Sequence, residues 1–248
     1  MQALRKQMKQ NPIVVWLAGA GILAIIAVVF VVISSQGGPP AIVGDYTIRA
    51  LSELSDSELV NAMSEGVIPH QRLADGGFVL GFPSAPVTVV AFEDFACSHC
   101  QAYESTIAQL IETYVATGRA RFEYRFFPTT DQRTGGYHSK LAACVGELAE
   151  ERFWLAHEFL YARGSSGRLY SEDTGRLLAE ETGVDYAELL ECTQTVRQVG
   201  IDVQLGTNIG VRGTPAVALR YPDGQLTQAQ GAPSFPQLSA IIEAAALQ

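Results

Sequence analysis

The hydrophobic positions of this chain fall into segments of three different periods. Ile13 to Ile33 (IVVWLAGAGILAIIAVVFVVI) is an unbroken apolar run without charge or proline. Its 21 residues suit a bilayer-spanning helix, which needs about 20. Pro86 to Phe92 (PVTVVAF) is β-branched and almost wholly apolar, which predicts a buried central strand. Tyr103, Ile107, Leu110, Ile111, Tyr114 and Val115 then repeat at helical spacing until Gly118, and Arg121 to Phe127 (RFEYRFF) alternates polar with aromatic as a second strand does. From about 131 to 208 the pattern is helical throughout. One helix carries Phe153, Trp154, His157, Leu160 and Tyr161 on one face, another opens at Ser171, and a third is capped by Asp185 with Glu188 three residues on. Ala216 to Tyr221 predicts a strand, Pro222-Asp223-Gly224 a turn and Gln225 to Gln230 a further strand. Phe235, Leu238, Ile241 and Ile242 mark the inner face of a last helix.

The order is β-α-β, helical insertion, β-β-α, and this is the order of a thioredoxin fold interrupted by helices. The predicted organisation is a basic tail over 1–12, a transmembrane helix over 13–33, a stalk over 34–75, and a thioredoxin-like α/β domain over 76–248 with its insertion at about 131–208. Ser34 to Pro40 (SSQGGPP) reads as a flexible spacer. Within the stalk a short helix is expected at about 56–65: Ser55 and Glu58 fit a capping box, Leu54 and Leu59 a hydrophobic staple, and Gly66 closes it.

Charge changes this picture in two ways. Arg5, Lys6 and Lys9 precede the apolar run and all 26 acidic residues follow it. The positive-inside rule therefore puts the N-terminus in the cytoplasm and the body outside, and the acidic body excludes a nucleic-acid-binding surface. A cleaved signal peptide is the rival reading, but its apolar core usually runs about 7 to 15 residues, and Ser34-Ser35-Gln36-Gly37-Gly38 is a poor cleavage site. Either way the body faces an oxidising compartment, a cell-surface or periplasmic location, where the four cysteines take on a different meaning.

Cys97-Ser98-His99-Cys100 sits at the corner where the first strand passes into a helix. Two thiols at i and i+3 on a first helical turn can close a small disulfide, and the unpaired N–H groups there stabilise a thiolate. Cys97 is expected to be the exposed nucleophile and Cys100, deeper in the helix, the resolving thiol. His99 between them favours the Cys97 thiolate further, which makes the disulfide a strong oxidant. A structural zinc site would need a second ligand pair at short spacing, whereas Cys144 and Cys192 stand far apart. An inert disulfide would not require the strand-to-helix corner. No metal and no cofactor is expected.

Gly81-Phe82-Pro83-Ser84-Ala85-Pro86-Val87-Thr88-Val89, then Phe92-Glu93-Asp94-Phe95, then the CSHC motif and later Gly213-Thr214-Pro215-Ala216 together resemble the DsbA-like thioredoxin-fold proteins. The resemblance runs from about Phe78 to the C-terminus. It implies a thiol-disulfide oxidoreductase with Cys97 as nucleophile, Cys100 as resolving cysteine and Pro215 as the cis-proline facing them. Such a bond turns the backbone at Thr214 outward, where a substrate segment can pair as an added strand. Two departures stand out. The family places a buried acid six residues before the first cysteine, and this chain has Ala91, so proton transfer from Cys100 falls to water, Glu93 or Glu104. Ser98 replaces the proline common between the cysteines.

Cys144 and Cys192 fall in the insertion, and in an oxidising compartment they are expected to form a structural disulfide; two free buried thiols are the alternative. Some membrane-anchored DsbA-like proteins of bacteria resemble this chain in carrying a second pair there. His157 reads as a packed histidine, while Arg212 lies close enough to Thr214 and Pro215 to meet substrates. His70 and His138 have no partner nameable from sequence.

Together these features predict a tethered dithiol oxidase for folding secreted proteins, and the resemblance implies a membrane reoxidase, DsbB-like or a vitamin K epoxide reductase homologue. A reductase or isomerase running in the opposite direction is the second reading. A non-catalytic peptide-binding or metal-delivery module, for instance one carrying copper, is the third.

Overall fold

The computed structural model describes residues 42–43, 46–50, 67–130 and 135–246. Its centre is the strand β5 (Thr88–Glu93), all six of whose residues are buried. Eight described strands form one sheet in the order β1-β2-β3-β4-β6-β5-β7-β8. They are β1 (Ile42–Val43), β2 (Tyr46–Ala50), β3 (Val67–Arg72), β4 (Phe78–Leu80), β5, β6 (Arg121–Phe126), β7 (Ala216–Arg220) and β8 (Gln230–Gly231). β5 runs parallel to β6 and antiparallel to β7. Its apolar continuity follows from being covered on both faces.

Strand alternation divides the core in two. Val89 and Ala91 point to one face, where they join Phe122, Tyr124, Phe126 and the helix α1 (Ser98–Leu110). Val90 and Phe92 point to the other, against Val211, Ala216 and Ala218. Helix α1 buries Cys100, Tyr103, Ile107 and Leu110, one stripe at helical spacing, and a π turn carries it through Ile111–Val115. Among the described residues between β6 and β7 lie five α-helices: α2 (Gly135–Leu148), α3 (Phe153–Ser165), α4 (Thr174–Thr182), α5 (Tyr186–Thr195) and α6 (Gln198–Asn208). The last helix, α7 (Phe235–Ala245), carries Leu238 and Ile242 inward.

The polar face of β6 is not solvated, because α6 packs over it. Arg125, fully buried, bonds Glu123 at 2.7 Å, Asp202 of α6 at 2.8 Å and Asp75 at 2.7 Å. Arg220 of β7 meets Glu123 as well. A buried guanidinium is tolerable only with this many charged partners, since desolvation alone costs several kcal/mol, on the order of 5 or more.

Several expectations need correction. Residues 34–75 are not simply a stalk: β1, β2 and β3 extend the sheet, with β3 pairing β2 in parallel and β4 in antiparallel fashion. Pro69 inside β3 hides the strand, because a proline removes a ladder donor and demotes such a run. The third insert helix opens at Thr174 rather than Ser171, with Asp173 before it. The strand expected over Gln225–Gln230 shrinks to Gln230–Gly231 and one bridge from Leu226 to Arg220. The apolar run 13–33 and the short helix at 56–65 lie outside the described residues. Among the described residues no helix is long and apolar enough to cross a membrane.

Candidate active site

Helix α1 begins where β5 ends, so the first turn of the helix stands at the C-terminal edge of the sheet. Cys97 occupies the N-cap position in extended backbone, and no side chain caps the helix there. Its N–H groups therefore remain free to face a sulfur anion. Cys97 and Cys100 are both free thiols. Ser98 and His99 are exposed. Cys97 itself is more recessed than expected, at 7% exposure, because the loop before β7 folds over it. The peptide bond Thr214–Pro215 is cis, and the Cys97 thiol donates to the Thr214 carbonyl at 3.5 Å. His99, Ala102, Tyr103, Thr214, Pro215 and Ala232 line an open cleft of about 400 Å³ beside the pair.

Cys100 is fully buried. Burial pushes its thiol up, and the nearby Glu93 carboxylate adds to the effect. Glu93 is also fully buried. Its position follows from the pleat: it lies two residues after Ala91, so both point to the face that carries α1. The Tyr161 hydroxyl of α3 donates to Glu93 Oε2 at 2.5 Å. Desolvation outweighs that bond and lifts the Glu93 carboxyl to about 7. Glu104, one turn beyond Cys100, is half-buried with Oε1 lacking a hydrogen-bond partner. Burial, Glu93 and Glu158 all push its carboxyl up, and burial raises Glu158 itself to about 7. Glu93 thus acts on both the deeper thiol and Glu104, and Glu158 acts on Glu104.

The remaining predicted residues lie elsewhere. Cys144 of α2 and Cys192 of α5 are joined by a disulfide within the insertion. His157 is buried among Tyr124, Tyr161, Trp154 and Phe95, and burial holds its imidazole down at about 3. His138 meets the Leu169 carbonyl at 2.8 Å, and Arg212 is exposed. His70 is buried on β3 and held down at about 4 by desolvation. Among the described residues no group of three His, Cys, Asp or Glu side chains could hold a metal ion.

Sequence reasoning gave no role to Asp94 or Thr129. Asp94 is fully buried and accepts from Ala96 N at 2.9 Å, Thr129 N at 2.9 Å, Thr130 N at 3.0 Å and Thr130 Oγ1 at 2.8 Å. The Asx turn onto Ala96 was detectable as an Asp just before a helix start. The reach to Thr129, 35 residues away, had no local signal.

A family model described as Thioredoxin matches residues 74–244. The chain belongs to the thioredoxin family. A Na(+)/H(+) antiporter, NhaA 3 of Salinispora tropica, is 31% identical over 159 residues, which are 61% of this chain and 23% of that protein. The chain thus spans less than a quarter of that relative's length. A probable disulfide bond formation protein D of Bacillus anthracis is 25% identical over 66% of this chain and 76% of its own. Among solved structures, oxidised BdbD from Bacillus subtilis superposes with a TM-score of 0.58 at 21% identity, over 68% of this chain and 92% of that one.

Proposed function

We propose that the protein is a membrane-tethered, extracytoplasmic dithiol oxidase that passes a Cys97–Cys100 disulfide to exported proteins as they fold. The observation that carries this reading is the asymmetry of the pair: Cys97 sits at an uncapped helix end against the Thr214 carbonyl that borders the cleft, while Cys100 is sealed and feels the Glu93 carboxyl. A substrate thiolate attacks the Cys97 sulfur of the disulfide, and Cys100 leaves with the bonding electrons and takes the Glu93 proton. A second substrate thiolate then attacks the substrate sulfur of the mixed disulfide, releasing Cys97 as a thiolate at the helix end. The substrate loses two electrons and the pair gains them. An extended substrate segment lies against Thr214 in the cleft, pairing as an added strand.

Support for the anchor comes from the apolar run 13–33 with Arg5, Lys6 and Lys9 before it, which leaves the N-terminus cytoplasmic. A membrane protein of the DsbB-like or vitamin K epoxide reductase type reoxidises the pair, and a tether confines the two to one plane, raising their effective concentration. The redox equilibrium with glutathione tests the direction. An oxidase gives a potential near the roughly −120 mV of DsbA, whereas a value near about −270 mV marks a reductase and ends the oxidase reading.

A further inference from the structure

Thr129 is exposed, yet its backbone is fixed. Its N–H and the N–H and hydroxyl of Thr130 all converge on Oδ2 of the buried Asp94, at 2.9, 3.0 and 2.8 Å. The same carboxylate holds the turn into α1 through Ala96 N, and the Asp94 carbonyl accepts from Cys97 N at 3.0 Å. So one side chain ties the loop after β6 to the loop that carries the nucleophile. The Thr129 hydroxyl in turn lies 2.8 Å from the Thr214 hydroxyl. Thr214 borders the sulfurs on the opposite side, with its carbonyl 3.5 Å from Cys97 Sγ.

We propose that Asp94 and Thr129 form a clamp that positions Thr214 against the Cys97–Cys100 pair, making Asp94 and Thr129 positioning residues for the thiol chemistry. A threonine hydroxyl has one proton to give and two lone pairs to accept with. When Thr129 donates to Thr214, the Thr214 proton is free to turn toward a sulfur anion, and the two bonds strengthen one another. When the pair is a disulfide, the donor can turn back to Thr129. Burial and Glu93 hold the Cys100 thiol up, and the Thr214 side chain is one of the smaller influences that favour its anion. Through the hydroxyl the clamp favours a sulfur anion, against the Thr214 carbonyl, which accepts from the neutral Cys97 thiol.

This inference rests on the proposed thiol chemistry, and its sign separates it from a plain charge effect. Asp94 is an anion near the nucleophile, so removing its charge through space would ease ionisation of Cys97. Releasing the clamp would hinder it. In Asp94→Asn only one side-chain oxygen remains, and the amide nitrogen must face either Ala96 N or the Thr129–Thr130 donors, so the clamp opens.

The test is the pH profile of Cys97 alkylation by iodoacetamide, read by peptide mapping on the reduced full chain. Thr129→Val is expected to move the profile to higher pH and slow alkylation below the midpoint roughly threefold. Thr129→Ser restores the parent profile, Asp94→Asn moves it in the same direction as Thr129→Val, and the double variant moves it no further. A Thr129→Val profile that superimposes on the parent overturns the clamp, as does an Asp94→Asn profile displaced to lower pH. Because Thr129 is exposed, its variant decides the matter even where Asp94→Asn does not fold. A parent Cys97 that fails to react near neutral pH overturns the functional reading and the clamp together; a reactive parent with an unmoved Thr129→Val overturns the clamp alone.

Discussion

Glu93 is an acid kept protonated near neutrality by burial, and this gives it opposite effects on stability and on chemistry. Its folded pKa of about 7 lies above the ordinary 4.5, so between those values the folded state binds more protons than the unfolded one and stability falls as pH rises. Glu93→Gln removes the penalty. Its stability relative to the parent should improve by on the order of 3 kcal/mol between pH 4.5 and 8, measured by urea unfolding. The same variant has no proton to give Cys100, so single-turnover disulfide transfer should slow roughly tenfold or more and lose its pH dependence around 7. His157 works the other way. Its folded pKa of about 3 lies below 6.5, so the unfolded state binds the extra proton and stability is lost as pH falls from 6.5 toward 3. His157→Phe should flatten that acid limb in the same unfolding series. At this scale the Cys97–Cys100 pair was legible from its local spacing, and Thr214-Pro215 from the resemblance to the DsbA-like proteins. The Tyr161 bond to Glu93 and the Asp94 bond to Thr129 were not, since each joins residues dozens of positions apart.

Secondary elements were most readable where one period held without interruption. β5, α1 and β6 follow the apolar run, the helical repeat and the alternation nearly to the residue, and α5 starts at Asp185, whose side chain accepts from Ala187 N and Glu188 N. The polar stripe of β6 kept its period but not its meaning, because only the packing of α6 turns Glu123 and Arg125 from surface charges into a buried network. Helix packing also fixes what α2 can carry. Gly146 of α2 faces Phe78 of β4, whose ring stacks on Phe153 of α3 with centroids 3.5 Å apart. A Cβ at Gly146 would stand 2.4 Å from the Phe78 ring, which is buried and held between its neighbours. Gly146→Ala should therefore cost about 1 to 3 kcal/mol, despite alanine's better helix propensity. The disulfide from Cys144 to Cys192 ties α2 to α5 over 48 positions. Replacing both with Ala should cost about 4 kcal/mol in the chain-entropy account, while Cys97 alkylation stays at the parent rate, since the disulfide joins two insertion helices and Cys97 stands at the N-cap position of α1.

At the scale of the whole molecule, the sheet begins well before the residues that carry the thioredoxin pattern. The expected boundary at 76 cuts between β3 and β4, which are hydrogen-bonded neighbours through His70–Leu80, Gln71–Val79 and Arg72–Phe78. Removing everything before it would strip Ile48 and Ile68 from the core and leave β4 as a bare edge. It would also remove Asp75, one of the three acidic partners of the buried Arg125. A bare apolar edge is a template for pairing with another chain, and Phe78, Val79 and Leu80 are buried without exception in the intact sheet. The compact unit instead runs from residue 40 onward. A chain starting at Pro40 should unfold cooperatively with the stability of the parent's body. A chain starting at Gly76 should lose several kcal/mol, on the order of 3 or more from the two isoleucines alone, and associate through β4. Urea unfolding with light scattering on the two chains decides this: equal midpoints and equal scattering would mean that β1 to β3 contribute nothing and that the domain does begin at 76.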